Sequence, residues 1–178
     1  DYFRGTPLAL STCASLSVTK EGTGFPANTT FPYLIDQVDS KAVHDGSLAG
    51  TTTDMDSSTA SISAQISVGQ THIWKNVIAQ PDYRVAELTA DLPTGVTLDT
   101  VVCTYTDLYS TVPGEKTVVL YENGASTGAT FALFPSTTGA PAPSCVITNI
   151  ATSLNLNKIL VNDHGGTATL ESFPLTAT

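Results

Sequence analysis

Short runs of alternating apolar and polar residues fill most of the chain, and clusters of turn residues separate them. Because successive side chains of a strand point to opposite faces, this alternation predicts strands with one buried face. Many short strands with regular turns are typical of a β-sandwich or barrel, so we expect an all-β sandwich. The predicted strands are Leu16–Lys20, Phe31–Val38, Ala60–Val68, His72–Val77, Tyr83–Leu88, Thr100–Thr106, Lys116–Tyr121, Ala129–Phe134, Ser144–Ile150, Leu154–Val161 and Ala168–Leu175.

Two segments between the strands differ from the usual short turn. Glu122-Asn-Gly124 predicts a tight hairpin turn, because Asn and Gly both tolerate the positive φ that such a turn requires. Val38–Ser58 is polar and has no apolar period, which predicts a long surface insertion.

One strand-like sequence occurs twice. Ser15-Leu-Ser-Val-Thr-Lys20 returns in altered form as Ser153-Leu-Asn-Leu-Asn-Lys158, soon after Ser144-Cys-Val-Ile-Thr-Asn149. We interpret the first and third of these sequences as the opening and closing strands of one domain. The predicted organisation is an N-terminal arm (1–14), a β-domain (15–150) and a C-terminal extension (151–178).

The C-terminal extension contains two strand-like segments whose partners lie outside it. Unpaired strands are costly, because their backbone donors and acceptors must be satisfied elsewhere. The extension therefore either begins another domain or pairs with a neighbouring subunit by adding strands to its sheet.

The charge balance excludes several functions. Seven lysines and arginines against 16 acidic residues give a net charge of −9, which disfavours nucleic acid and anionic membranes as partners. No apolar run approaches the roughly 20 residues that span a bilayer. The start at Asp1 has no signal-peptide pattern, so we expect a mature form or a fragment. Abundant Thr, Ser, Gly and Pro with few lysines are typical of secreted β-proteins, which predicts an extracellular location.

The chain has three cysteines, Cys13, Cys103 and Cys145. Cys103 and Cys145 lie in alternating strands of the same domain, where two strands that share a core come within disulfide reach. We favour a Cys103–Cys145 disulfide in an oxidising compartment, and two buried free thiols are the alternative. Cys13 is then the odd cysteine, available for a bond between subunits.

Three polar residues are predicted to point into the same core. Lys20 shares a strand face with Leu16 and Val18, and Glu87 shares one with Tyr83 and Val85. Asn149 shares a face with Cys145 and Ile147. A buried charge without a partner is costly, so the three groups call for a joint explanation.

These groups have the chemistry for an amide exchange. Burial lowers the pKa of a lysine and raises that of a glutamate, which leaves a neutral amine as a nucleophile. A protonated Glu87 would polarise the Asn149 carboxamide and carry protons, and Lys20 would expel ammonia to form an isopeptide bond. The alternatives are a salt bridge at the sheet rim with Lys20 reaching water, or positions that are unrelated.

The segment Tyr83–Val96 resembles the glutamate box of collagen-adhesin B-type, prealbumin-like domains in bacterial surface proteins and pilins. The opening Leu-Ser-Val-Thr-Lys20 and the closing Cys-Val-Ile-Thr-Asn149 resemble the first and last strands of that family. Leu88 stands where the box usually has threonine, and Val96 where it has tyrosine. The resemblance implies a prealbumin-like, Ig-like β-sandwich with extra N- and C-terminal strands, and an autocatalytic role for Glu87.

The extension also resembles the start of another such repeat. Its residues are Lys158-Ile-Leu-Val-Asn-Asp-His-Gly-Gly-Thr-Ala-Thr169 and Phe173-Pro-Leu-Thr-Ala-Thr178. Lys158 is the counterpart of Lys20, yet no glutamate box follows it. Its partners lie beyond residue 178 or in another subunit, or its side chain is exposed.

No metal or cofactor is predicted. His44, His72 and His164 have no ligand spacing, and Asp54 and Asp56 lack a full calcium-loop pattern. No motif of a multiple-turnover enzyme is present, so we do not expect an enzyme.

The predicted function is a structural subunit of an extracellular bacterial filament or surface stalk, such as a pilus. Its partners would be copies of itself, joined head to tail by strand complementation and stabilised by covalent cross-links. The alternative is a ligand-binding adhesin module of a longer cell-surface protein. Its insertion at 38–58 would contact a host or surface ligand.

Overall fold

The computed structural model of the chain describes residues 13–26, 28–38, 47–48, 61–108, 110–152, 159, 165–167 and 169. These residues form two β-sheets packed on one hydrophobic core, and none of them lies in an α-helix. The expected all-β sandwich is therefore confirmed.

Ten strands make up the two sheets. They are β1 (Cys13–Thr23), β2 (Thr30–Gln37), β3 (Ser47–Leu48), β4 (Ser61–Ser67), β5 (Thr71–Ile78), β6 (Tyr83–Glu87), β7 (Val96–Asp107), β8 (Gly114–Glu122), β9 (Ala125–Ser126) and β10 (Ser144–Ala151). The larger sheet has the order β3-β5-β1-β10-β7-β8-β9, and the smaller one has the order β4-β2-β6. Short 3-10 turns follow β6 at Thr89–Asp91 and precede β10 at Ser136–Thr138.

The first and last strands are neighbours. β1 and β10 pair in parallel, with Lys20 opposite Ile147 and Gly22 opposite Asn149. β10 pairs with β7 on its other side, where Cys145 stands opposite Cys103. This order puts the two ends of the domain side by side at the centre of the larger sheet.

Alternating burial sets the inward face of each central strand. In β6, Tyr83, Val85 and Glu87 are buried, while Arg84 and Ala86 are only half-buried. Such a sequence suits a strand because its apolar side chains can all face the opposite sheet. Trp74, the only tryptophan, is fully buried on β5.

The predicted strand at Ala129–Phe134 is wrong. Only Phe131 makes a bridge there, with Tyr83. Phe131, Ala132 and Leu133 are buried in succession. A strand cannot place consecutive side chains on one face, so this segment crosses the core edge as irregular chain.

The Asn-Gly turn is confirmed. Asn123 and Gly124 join β8 to β9 with φ of 52° and 81°, the left-handed conformation that this pair accepts readily. Residues 1–12 of the predicted N-terminal arm, most of the 38–58 insertion and most of the predicted strands 154–161 and 168–175 lie outside the described residues. The predicted domain boundary at residue 15 is wrong by two residues, because Cys13 and Ala14 belong to β1. From the insertion the structure describes residue 38 and β3, which pairs with β5.

Candidate functional site

Lys20, Glu87 and Asn149 meet between the two sheets. Lys20 comes from β1 and Asn149 from β10 of the larger sheet, and Glu87 comes from β6 of the smaller one. The exposed fractions of the three residues are 0%, 6% and 1%, so the predicted inward orientation of each is observed. Lys20 does not reach water, which disagrees with a salt bridge at the rim.

The Glu87 carboxylate bridges the amine and the amide. Asn149 Nδ2 donates a hydrogen bond to Glu87 Oε2 at 2.7 Å, and Lys20 Nζ lies 3.4 Å from Glu87 Oε1. Lys20 Nζ also donates to Asn149 Oδ1 and to the backbone oxygen of Ile147. The amine is therefore held against the carboxamide, and the carboxylate contacts the nitrogen that an amide exchange would expel.

Burial shifts the pKa values of both Lys20 and Glu87. Loss of water lowers the pKa of the Lys20 amine, and the negative charge of Glu87 opposes this shift. Burial likewise raises the pKa of Glu87, opposed by the hydrogen bond from Asn149 and by the charge of Lys20. The Oε1 atom accepts no hydrogen bond from the described residues. Burial thus disfavours the charged form of both groups.

One aromatic ring lies over the amine, and a second ring packs against the first. The Phe31 ring lies 4.5 Å from Lys20 Nζ, and the Phe25 ring packs edge-on against Phe31 at 5.1 Å between centroids. A side chain at Gly22 would come within 2.5 Å of the Phe25 ring and 2.7 Å of the Asn149 backbone oxygen. Gly22 therefore leaves room for the Phe25 ring and for the close approach of β1 to β10 at Asn149.

Phe25, Phe31 and Gly22 were not predicted to be part of the site. Phe31 was expected in a strand, which is confirmed, but nothing local indicated that its ring would face Lys20. A glycine two residues after Lys20 was the only local signal of a close approach.

Three other polar side chains, on β2 and β5, are joined by hydrogen bonds at the same core. Trp74 Nε1 donates to Tyr33 Oη at 2.9 Å, and Tyr33 Oη lies 2.9 Å from His72 Nδ1. The Tyr33 hydroxyl thus accepts a hydrogen bond from the indole and shares a second one with the imidazole of His72. Burial lowers the pKa of His72. These hydrogen bonds connect β5 to β2.

The remaining predicted residues fall into two groups. Cys103 and Cys145 form a disulfide between β7 and β10. Cys13 begins β1, but its side chain is not described, and Lys158 lies outside the described residues. Their roles between subunits stay predictions.

The described part of the chain contains no group of three metal-binding side chains. Within the same residues, no helix is long and apolar enough to cross a bilayer.

Solved structures with a similar fold include two major pilins of Streptococcus pyogenes. The T-13 pilin has a TM-score of 0.51 and 14% identity over 79% of this chain. The T3.2 pilin has a TM-score of 0.52 and 13% identity over 79% of this chain. This chain spans 46% of each pilin chain. No protein-family model and no curated protein matches it, so the comparisons establish a pilin-like fold.

Proposed function

We propose that the chain is a structural subunit of an extracellular bacterial filament or surface stalk, with a domain of the collagen-adhesin B type. One observation carries the proposal: a lysine of the first strand touches an asparagine of the last strand, beside a buried carboxyl group. The pilin-like fold supports it. A link between the two ends of a domain is useful in a molecule that bears tension, and a filament subunit is such a molecule.

The proposed bond forms between Lys20 Nζ and Asn149 Cγ. The neutral amine attacks the carboxamide carbon, the bond from Cγ to Nδ2 breaks, and ammonia leaves. Glu87 Oε2 lies at the leaving nitrogen and supplies its proton, while Oε1 on the side of Lys20 takes up the proton that the amine loses. The carboxyl group is regenerated, but the lysine and asparagine are consumed, so the reaction occurs once per molecule.

The bond would redirect force through the domain. Lys20 and Asn149 are 129 residues apart in the chain but lie on adjacent strands. Tension that enters before β1 and leaves after β10 would pass through the covalent link and bypass all the residues between. Resistance to unfolding would then no longer depend on hydrogen bonds between strands.

Assembly between subunits is the second part of the proposal. Strands outside the sandwich would pair with a neighbouring copy head to tail, which generates a filament rather than a closed ring. Cys13 and Lys158 would add covalent links between copies, and no turnover catalysis or cofactor is required. A ligand-binding adhesin module remains the alternative prediction. It depends on the 38–58 insertion, of which three residues are described.

Intact-mass spectrometry tests the cross-link. We expect the measured mass of the wild type to be about 17 Da below the mass calculated from its sequence, because one ammonia is lost. The disulfide should lower the mass by about 2 Da more. Lys20→Met, Glu87→Ala and Asn149→Ala should each lack the 17 Da loss. Lys75→Met, which changes an exposed lysine on β5, is the matched control and should keep it. A folded wild type of full mass would refute the cross-link.

A further inference from the structure

The outer edge of β6 has backbone groups that no described residue satisfies. In the smaller sheet β6 is an edge strand, and β2 is its neighbour on the inner side. Beyond the two ends of β6, Leu88 N–H donates to Pro32 and Asp82 C=O accepts from Val38, so even-numbered residues of this segment face β2. Tyr83 faces the other way and pairs with Phe131 through both its N–H and its C=O. The N–H and C=O groups of Val85 and Glu87 share this outward direction.

An apolar groove runs along the same edge. Its volume is about 220 Å3, and Leu98, Val101 and Leu120 of the larger sheet form much of its lining. Ser126 and Ala129 line it as well, next to β6. This volume is below the roughly 300 Å3 from which small-molecule sites usually begin. A free strand edge beside such a groove has the chemistry that receives an added strand: backbone pairing along the edge and room for apolar side chains.

The chain itself contains a segment suited to this groove. Residues 154–161 are predicted to form a strand and end in the apolar run Ile159-Leu-Val161, in which Ile159 and Val161 share one face. Ile159 is 85% exposed, the highest value among the exposed large apolar residues that the structure describes. Its side chain is therefore available for contact with another molecule.

We propose that residues 154–161 of one copy add as a fourth strand to the free edge of β6 in a second copy, with Ile159 seated in the groove. The inference deepens the proposed assembly and rests on it, because it names the donor segment and the acceptor edge. Val85 and Glu87 supply the pairing groups, and the groove takes the apolar side chains. Glu87 also lines the groove, so the added strand lies next to the strand that carries the buried carboxyl group.

Light scattering of the full chain over a range of concentrations tests the donor. We expect the wild type to associate, and Ile159→Asp to weaken the association about tenfold or more, because a carboxylate cannot be buried unpaired in the groove. Ile159→Val keeps a β-branched apolar side chain and should associate like the wild type. Val112→Asp is the matched control, because Val112 is also highly exposed, at 72%, but does not line the groove.

A second pair of variants tests the acceptor. Ser126→Trp places a large ring at the groove and should weaken association by a similar factor, while Ala125→Trp in the same hairpin, which does not line it, should not. A photo-crosslinking residue at position 159 should link to the groove of another copy. Mixed isotope labelling of two preparations shows whether the link joins two molecules.

The proposal is overturned if the wild type remains a single copy, if Ile159→Asp associates like the wild type, or if the crosslinks fall within one molecule. The 17 Da mass loss reports the internal bond independently of association. Failure of the strand addition and failure of the internal cross-link are therefore distinguishable.

Discussion

At the scale of single residues, the site depends on how completely three polar groups are removed from water. Lys20 is fully buried, and its amine contacts a carboxamide, a carboxylate and an aromatic ring. Desolvation destabilises the charged forms of Lys20 and Glu87 in such a place. In the proposed reaction, the same burial would make the Lys20 amine nucleophilic.

Gly22 provides a test of this packing. Gly22→Ala should lower the free energy of unfolding by about 1–3 kcal/mol and slow the 17 Da mass loss. Its φ of +149° is strained for alanine, and the added Cβ meets the backbone oxygen of Asn149, which cannot move freely. Urea denaturation and timed mass spectra measure the two effects.

Gly69→Ala is the matched control. Gly69 also has a positive φ, of +81°, but a Cβ there meets nothing within 4 Å. It should lose stability from backbone strain alone and react at the wild-type rate. Equal reaction rates for both variants would mean that the approach of Gly22 to Asn149 does not position the site.

At the scale of strands, β10 is the element that organises the site. It pairs with β1 on one side and with β7 on the other, and the disulfide to Cys103 holds it on the β7 side. Asn149 is four residues beyond Cys145 on the same strand and the same inward face. The disulfide therefore limits sliding of the strand that carries Asn149.

Replacing both cysteines tests this role. Cys103→Ala with Cys145→Ala should cost about 2–4 kcal/mol in the free energy of unfolding, because the bond closes a loop with a sequence separation of 42 residues. The rate of the 17 Da loss should also fall. Cys13→Ala removes the cysteine outside the disulfide and should change neither quantity. An unchanged reaction rate in the double variant would show that pairing with β1 alone aligns Asn149.

Individual strands show which structural features can be predicted from the sequence and which cannot. The alternation in β1, β6 and β10 correctly predicted that Lys20, Glu87 and Asn149 point inward, because side-chain direction in a strand is a local property. The same rule failed at Ala129–Phe134, where burial of consecutive residues is imposed by the edge of the core. The neighbours Phe25 and Phe31 were not predicted, since contact across a core is not encoded in any short segment.

At the scale of the whole molecule, the proposed cross-link predicts how far the chain extends under force. If Lys20 and Asn149, which are 129 residues apart in the chain, are joined, a chain pulled from both ends should extend without releasing the segment between them. Lys20→Met, with the disulfide intact, should release an additional contour length of roughly 300 Å, at about 3.3–3.6 Å per residue. Reduction of the disulfide in Lys20→Met should raise the additional contour length to roughly 440 Å.

Single-molecule force spectroscopy measures these lengths, and Lys75→Met is again the control, expected to behave like the wild type. Unfolding of the wild type with a length gain similar to that of Lys20→Met would contradict a covalent link between the first and last strands.

The fold class, the inward faces of β1, β6 and β10 and the identity of the three buried polar groups can be predicted from the amino-acid sequence. These follow from alternation along short segments and from the cost of burying a charge. The fold was needed to show that β1 lies parallel to β10, that Glu87 comes from the opposite sheet, and that no described strand pairs with the outer edge of β6. Strand order depends on contacts between residues far apart in the chain, and no local pattern specifies which strands become neighbours.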